Sequence, residues 1–176
     1  MSRNPVPLFK PAILLLLVAL AGCARTSPFR QPVEAETPMA LTLWRARMVH
    51  ELTPDEWRWF DAVVQEHKLQ LMQAGKTTGA PALDETVRKA LHGRPLAEIM
   101  HEGLQMLLRR KSAELADMNT ALERNEEKRR FIKENPDLLR DLEFHQAELR
   151  RKIARSEEEI AAAEASLKSF DAKAAR

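Results

Sequence analysis

From Leu41 onward, apolar residues recur at helical spacing, and prolines and glycines cut the pattern into segments. Leu41, Trp44, Met48 and Leu52 fall on one helical face. Thr53-Pro54-Asp55-Glu56 predicts a helix start. Thr53 can cap it, Pro54 suits the first helical position, and Glu56 stands where a capping box needs its acid. The helix so opened carries Trp57, Phe60, Val64, His67 and Leu71 along one stripe, and Gly75 can end it. Lys76 to Pro81 reads as a loop and Asp84 to Leu91 as a short helix. Gly93 supplies a left-handed stop, and Pro95 starts the next helix.

The pattern then lengthens. No proline interrupts Leu96 to Glu134, and a heptad seam runs through Leu104, Leu108, Lys111, Leu115, Met118, Leu122, Asn125, Arg129 and Ile132. Asn135-Pro136-Asp137 breaks it, because Pro136 disfavours helical geometry at Asn135 and suits a new first turn. A second seam follows through Leu139, Leu142, Gln146, Leu149, Ile153, Ser156, Ile160, Ala163, Leu167 and Phe170. Folding back at Pro136 sets Ile132 against Leu139, Leu122 against Leu149, Met118 against Ile153, Leu108 against Ala163 and Leu104 against Leu167. Asn125 falls opposite Gln146. That layer either pins the register or is a polar accident in a weak seam. Lys111 and Arg129 weaken the seam, which leaves an intermolecular coiled coil, and so a homo-oligomer, open.

The expected fold class is all-α: a small helical domain over 39–95, then a long antiparallel coiled-coil helical hairpin over 96–172, with 173–176 a disordered tail. Few aromatics, no Tyr and scarce Gly agree with helices over strands.

The N-terminus reads differently. Arg3 and Lys10 precede a continuous apolar run, Ala12 to Leu20, which is too short to span a bilayer. That is the pattern of a secretory signal over 1–22. Leu20-Ala21-Gly22-Cys23 resembles the lipobox of bacterial lipoproteins. The resemblance implies cleavage between Gly22 and Cys23, diacylglycerol on the Cys23 thiol and, in many bacteria, an acyl chain such as palmitate on the new amino terminus. Ala24 in place of Asp implies the outer membrane under enterobacterial sorting. Residues 23–38, with Pro28, Pro32 and Pro38, read as a lipidated flexible tether.

Charge and cysteine narrow the partners. The chain holds 28 Lys plus Arg and 26 Asp plus Glu. Removal of residues 1–22 takes Arg3 and Lys10 and no acid, leaving 26 of each sign. A neutral chain argues against nucleic acid. Cys23 is the lone cysteine, so no disulfide closes within the chain. The expected partners are a membrane, through the lipid, and a protein of the cell envelope.

Candidate chemistry is thin. Glu98-Ile99-Met100-His101 has the Glu-x-x-His spacing of di-iron bundles but lacks a second copy, and no metal or cofactor is expected. None of the serines sits in a Gly-x-Ser-x-Gly elbow, and no phosphate-binding glycine loop occurs. The chain reads as a non-enzyme with no catalytic residue. Basic triplets at Arg109-Arg110-Lys111, Lys128-Arg129-Arg130 and Arg150-Arg151-Lys152 suggest an anionic partner, but interleaved glutamates favour solvated helix faces. Trp57, Trp59 and Phe60 form a candidate partner-binding cluster, with Trp59 on a separate side.

Leu52 to Glu56, through Phe60, and later Leu91-His92-Gly93-Arg94-Pro95-Leu96-Ala97-Glu98-Ile99 resemble small helical lipoproteins of unknown function in Gram-negative bacteria. Their pattern has an LTPEE-type opening and an LxGxTxxEI-type turn; Pro95 stands where that pattern has Thr or a similar residue. The resemblance implies an outer-membrane lipoprotein with a helical domain and brings no catalytic residues. The murein lipoprotein is also similar as a lipidated periplasmic helix, but it ends in a cross-linked Lys. This chain ends Lys173-Ala174-Ala175-Arg176, so wall attachment is not implied. The expected function is a periplasmic, outer-membrane-anchored structural or adaptor protein. The alternative is a pilotin-like or chaperone-like module that grips a peptide in an apolar groove near Trp57 and Phe60.

Overall fold

The computed structural model describes residues 27–75, 79–132 and 134–175. Gly22 and Cys23, the expected cleavage and lipidation positions, lie outside the described residues. The described chain is all-α: a short 3-10 turn at Pro28–Arg30, then α1 (Pro38–Met48), α2 (Pro54–Gln73), α3 (Ala80–Leu91), α4 (Leu96–Phe131) and α5 (Pro136–Ala174). Among the described residues no helix is long and apolar enough to cross a membrane.

Local signals place the helix ends. The Thr53 side chain accepts from Glu56 N–H, and the Glu56 carboxylate accepts from Thr53 N–H at 2.6 Å, closing the capping box of α2. Gly75 and Gly93 take positive φ at the ends of α2 and α3, a conformation that costs glycine little. Asn135 caps α5 by accepting from Leu138 N–H. Two starts and stops differ from expectation. The face from Leu41 to Leu52 is not one helix, since α1 ends at Met48 and Leu52 is buried from the following turn. Helix α3 begins at Ala80 rather than Asp84, because Pro81 serves its first turn instead of the loop.

Helices α4 and α5 form the antiparallel hairpin in the expected register. Lys111 pairs with Glu159 at 2.7 Å, Arg129 with Glu143 at 2.8 Å and His101 with Asp171 at 2.8 Å. Each partner lies one residue from the position that faces it in the Leu122–Leu149 register. The hairpin does not begin where a separate domain ends. Leu96, Ile99, Met100, Gly103, Leu104 and Met106 of α4, with Ala163 and Phe170 of α5, are buried in the same core as Trp44, Met48, Phe60, Val63, Val87 and Leu91. The expected boundary at 95 therefore runs through a shared core. Helix α2 is also turned from its expected stripe: Phe60 and His67 are buried as expected, but Val63 and Glu66 are buried with them, while Val64 and Leu71 are only half-buried. The cause is Gly103, whose missing side chain lets α4 close onto Val63. A Cβ at 103 would lie 2.8 Å from the Val63 Cβ.

The largest departure is at the N-terminal side. Residues 27–38, expected within a flexible tether, are fastened to the core. Phe29, Val33 and Ala35 are buried. Val33 N–H donates to Arg94 O, Gly93 N–H to Val33 O, and Leu96 N–H to Gln31 O, at 2.9–3.0 Å. Ala35 N–H donates to His92 Nδ1 at 3.2 Å, and Arg88 donates to Ala35 O and Glu36 O. The prolines favour an extended backbone, and the turn at Gly93–Pro95 supplies its bonding partners. The described part of the expected disordered tail, 173–175, is corrected in the same way; Arg176 lies outside the described residues. Lys173 and Ala174 are helical, and Lys173 reaches Glu56 Oε1 at 2.5 Å.

Candidate functional site

The aromatic cluster predicted near the start of the folded part is real, but its members have different roles. Trp44 of α1 meets Trp57 and Phe60 of α2 with ring centroids at 6.0 and 5.5 Å, and Trp57 meets Phe60 edge-on at 5.7 Å. Arg45 lies over Trp57 and Phe60 and bonds Asp61. Phe60 is fully buried, so it cannot line a groove for a partner. Trp57 is half-buried, with its indole N–H enclosed and unpaired. Both hold α1 onto α2 through edge-on and tilted ring contacts, the arrangement that aromatic pairs favour.

Trp59 points elsewhere. It lines an apolar crevice of about 200 Å³ with Ala62, Leu107, Leu108, Ile160 and Ala163, with the Lys111–Glu159 pair among its lining residues. On its other side Trp59 also lines a shallower groove between α2 and α5, of about 430 Å³, with small residues Ala162, Ala165, Ser166 and Ser169 along α5. Of the three predicted partner-binding residues, Trp59 is therefore the one set beside open space.

The polar pair predicted to set the register is asymmetric. Gln146 is 2% exposed and its Nε2 has no hydrogen-bond partner, while Asn125 is half-buried and no hydrogen bond joins the two. Gln146 instead lines a cleft with Glu126, Arg129, Arg130, Leu139 and Arg150.

Buried ionic groups were missed at the sequence level. Glu66 is buried against α4, where Arg110 Nε donates to both its carboxylate oxygens at 3.1 and 3.0 Å and Arg110 Nη1 reaches Glu114 at 2.5 Å. The bond to Glu66 raises the Arg110 pKa despite partial burial. Burial pushes the Glu56 carboxyl up, but bonds from Lys173 and Thr53 outweigh it and leave the pKa below the usual carboxylate value. Burial also holds His67 below the ordinary histidine pKa; Glu102 opposes this and Arg94 adds to it. The partners that cross between helices, Arg110 for Glu66 and Lys173 for Glu56, are 44 and 117 residues away, so only the helix faces hint at them: Glu66 is a charged residue beside the stripe of α2.

The Glu-x-x-His pair is divided by the fold. Glu98 accepts from Arg94 at 2.7 Å, whereas His101 faces Asp171 and Gln105. Among the described residues, no group of three or more His, Cys, Asp or Glu is arranged to hold a metal ion. No protein-family model, curated protein or solved structure matches the chain.

Proposed function

We propose that this protein is an outer-membrane lipoprotein, lipidated at Cys23 and facing the periplasm, that serves as a non-catalytic structural or adaptor element of an envelope assembly. One observation carries the adaptor reading. The hairpin leaves the packed core as a two-helix arm whose end bears exposed Phe131 (85%), Leu138 (51%) and Phe144 (67%). Phe131 and Leu138 flank the turn, and Phe144 lies eight residues into α5, about 12 Å from it. Large apolar side chains scattered singly are ordinary. Three at the end of an otherwise charged rod suit a protein contact. The membrane address rests on the Leu20-Ala21-Gly22-Cys23 pattern. Ser27 is held at the root of the hairpin, so the four-residue span from Cys23 reaches at most about 14 Å. Such a span keeps the root close to the lipid.

A second reading is favoured by Trp59, whose crevice and groove between α2 and α5 could grip a partner peptide as a pilotin-like or chaperone-like module does. Two measurements test these readings. Cells fed labelled palmitate should transfer label to the protein and not to Cys23→Ser, which should also leave the membrane fraction; retention of the variant there would reject the anchor. A photo-crosslinking residue at Phe144 should capture an envelope protein. Capture from Trp59 alone would replace the adaptor with the binding module.

A further inference from the structure

Lys128-Arg129-Arg130 and Arg150-Arg151-Lys152 are 20 residues apart in the chain, yet the turn at Asn135-Pro136 brings arginines from both to one place. Arg129, Arg130 and Arg150 line a cleft of about 500 Å³ near the end of the hairpin, with Glu126, Leu139 and Gln146 completing its wall. Three guanidinium groups thus face one lining carboxylate. Arg129 bonds Glu143 at 2.8 Å and Arg150 bonds Glu126 at 3.3 Å, and all four side chains are about half exposed. Ion pairs that open to water are weak and exchange partners readily. Arg130 enters no ion pair among the described residues. The last wall residue is the unusual one. Gln146 is almost wholly buried, and its Nε2 donor has no acceptor. A native structure seldom leaves such a donor unsatisfied without a reason.

Guanidinium forks match pairs of phosphate oxygens in a way that ammonium groups do not. A cleft of this size is on the scale of small-ligand sites. We propose that the cleft is a binding site for a phosphate group, free or on a lipid headgroup, held by Arg129, Arg130 and Arg150 with the Gln146 amide as an added donor. Leu139 provides an apolar edge for whatever the phosphate is attached to. Arg130 lies about 50 Å along α4 from Leu96, so the site stands apart from the root and does not depend on an anchor at Cys23.

Titration of the full chain with sodium pyrophosphate, and separately with phosphatidylcholine vesicles with or without phosphatidylglycerol, tests this site and its source. Saturable binding of pyrophosphate identifies a free ligand; binding of the anionic vesicles alone identifies headgroups. In either arm the double variant Arg130→Gln/Arg150→Gln should weaken binding about tenfold, while Arg109→Gln, in the triplet nearer the root, should leave it unchanged. Gln146→Leu should weaken binding several-fold and raise the melting temperature, because it removes the unpaired buried amide. A purely structural glutamine would not link those two changes. The proposal is overturned if neither probe binds saturably, if Arg109→Gln weakens binding as much as the double variant, or if Gln146→Leu binds, as tightly as the parent, the probe that the parent binds.

Discussion

The inner and outer halves of the hairpin are made by the same two helices and are held by different forces. Near the root, α4 buries Leu96, Ile99, Met100 and Leu104, and α5 buries Ala163 and Phe170, all in one apolar core with α1, α2 and α3. Beyond Met106, α4 has no fully buried residue, and the outer residues that α5 buries are Gln146 and Ser156. Both carry buried polar atoms without partners. Leu115, Met118, Leu122, Leu149 and Ile153 lie in the outer seam, but two helices alone leave them half-buried. A root covered on several sides gains apolar burial; an arm covered on one side relies on a thin seam and on exposed ion pairs, which contribute little. The contrast separates a rigid base from an arm poised to exchange faster and to accept contacts.

The largest effect expected from this contrast is at the root. Phe60→Ala, which empties the centre of the Trp44–Trp57–Phe60 cluster, should cost about 3–5 kcal/mol in chemical denaturation. A loss as small as that at an exposed site would place the main core elsewhere. Gly103→Ala should cost about 1–3 kcal/mol, since Val63 is stiff at its Cβ and the α2–α4 contact must open to admit a methyl group. The variant Val63→Ala/Gly103→Ala should recover part of that loss, and no recovery would break the pairing. In the outer arm, Leu122→Asp should cost only about 1 kcal/mol, because a half-buried carboxylate keeps part of its hydration. Hydrogen exchange should speed up between Lys111 and Ile153 while amides near Ile99 stay protected; equal acceleration in both halves would merge them into one cooperative unit. The smallest effect concerns acid. His67 is held below its unfolded pKa of 6.5, so the unfolded chain binds its proton first. Its contribution is complete above pH 6.5 and is lost as pH falls below that value towards the folded pKa. His67→Gln should flatten the melting temperature in that window, and an unchanged slope would remove His67 from the acid response.

Much of this architecture was legible because it is written in short-range chemistry. Thr53 and Glu56 are only three residues apart and close a capping box by themselves, and Asn135-Pro136 starts a new helix from its own cap and ring. The hairpin register was readable because two seams of similar length meet at that turn. The N-terminal segment was not. Phe29, Val33 and Ala35 show no period, and they are held by Arg88, His92, Gly93, Arg94 and Phe170, all more than 50 residues away. The aromatic cluster was visible, whereas the division of labour within it was not: Phe60 and Trp59 are neighbours in the chain but face different ways, Phe60 into the core and Trp59 beside open space. The basic triplets were seen as separate, and only the fold shows two of them sharing a cleft.

The fastening of the first described residues changes how a force would travel. Ser27 donates to Lys173 O and Arg30 to Ala174 O, which occupies carbonyls that the end of α5 would otherwise leave open. Phe29 packs on Phe170 at 5.4 Å, and Lys173 sits over the Phe29 ring. A pull on the chain ahead of Ser27 is therefore loaded directly onto the last turn of α5 and, through Lys173 and Glu56, onto the first turn of α2. Those contacts must yield before the segment that begins at Ser27 can be drawn away from the core. The N-terminal segment thereby ties the end of α5 to the start of α2 at the base, while the thinly sealed outer arm keeps its own freedom.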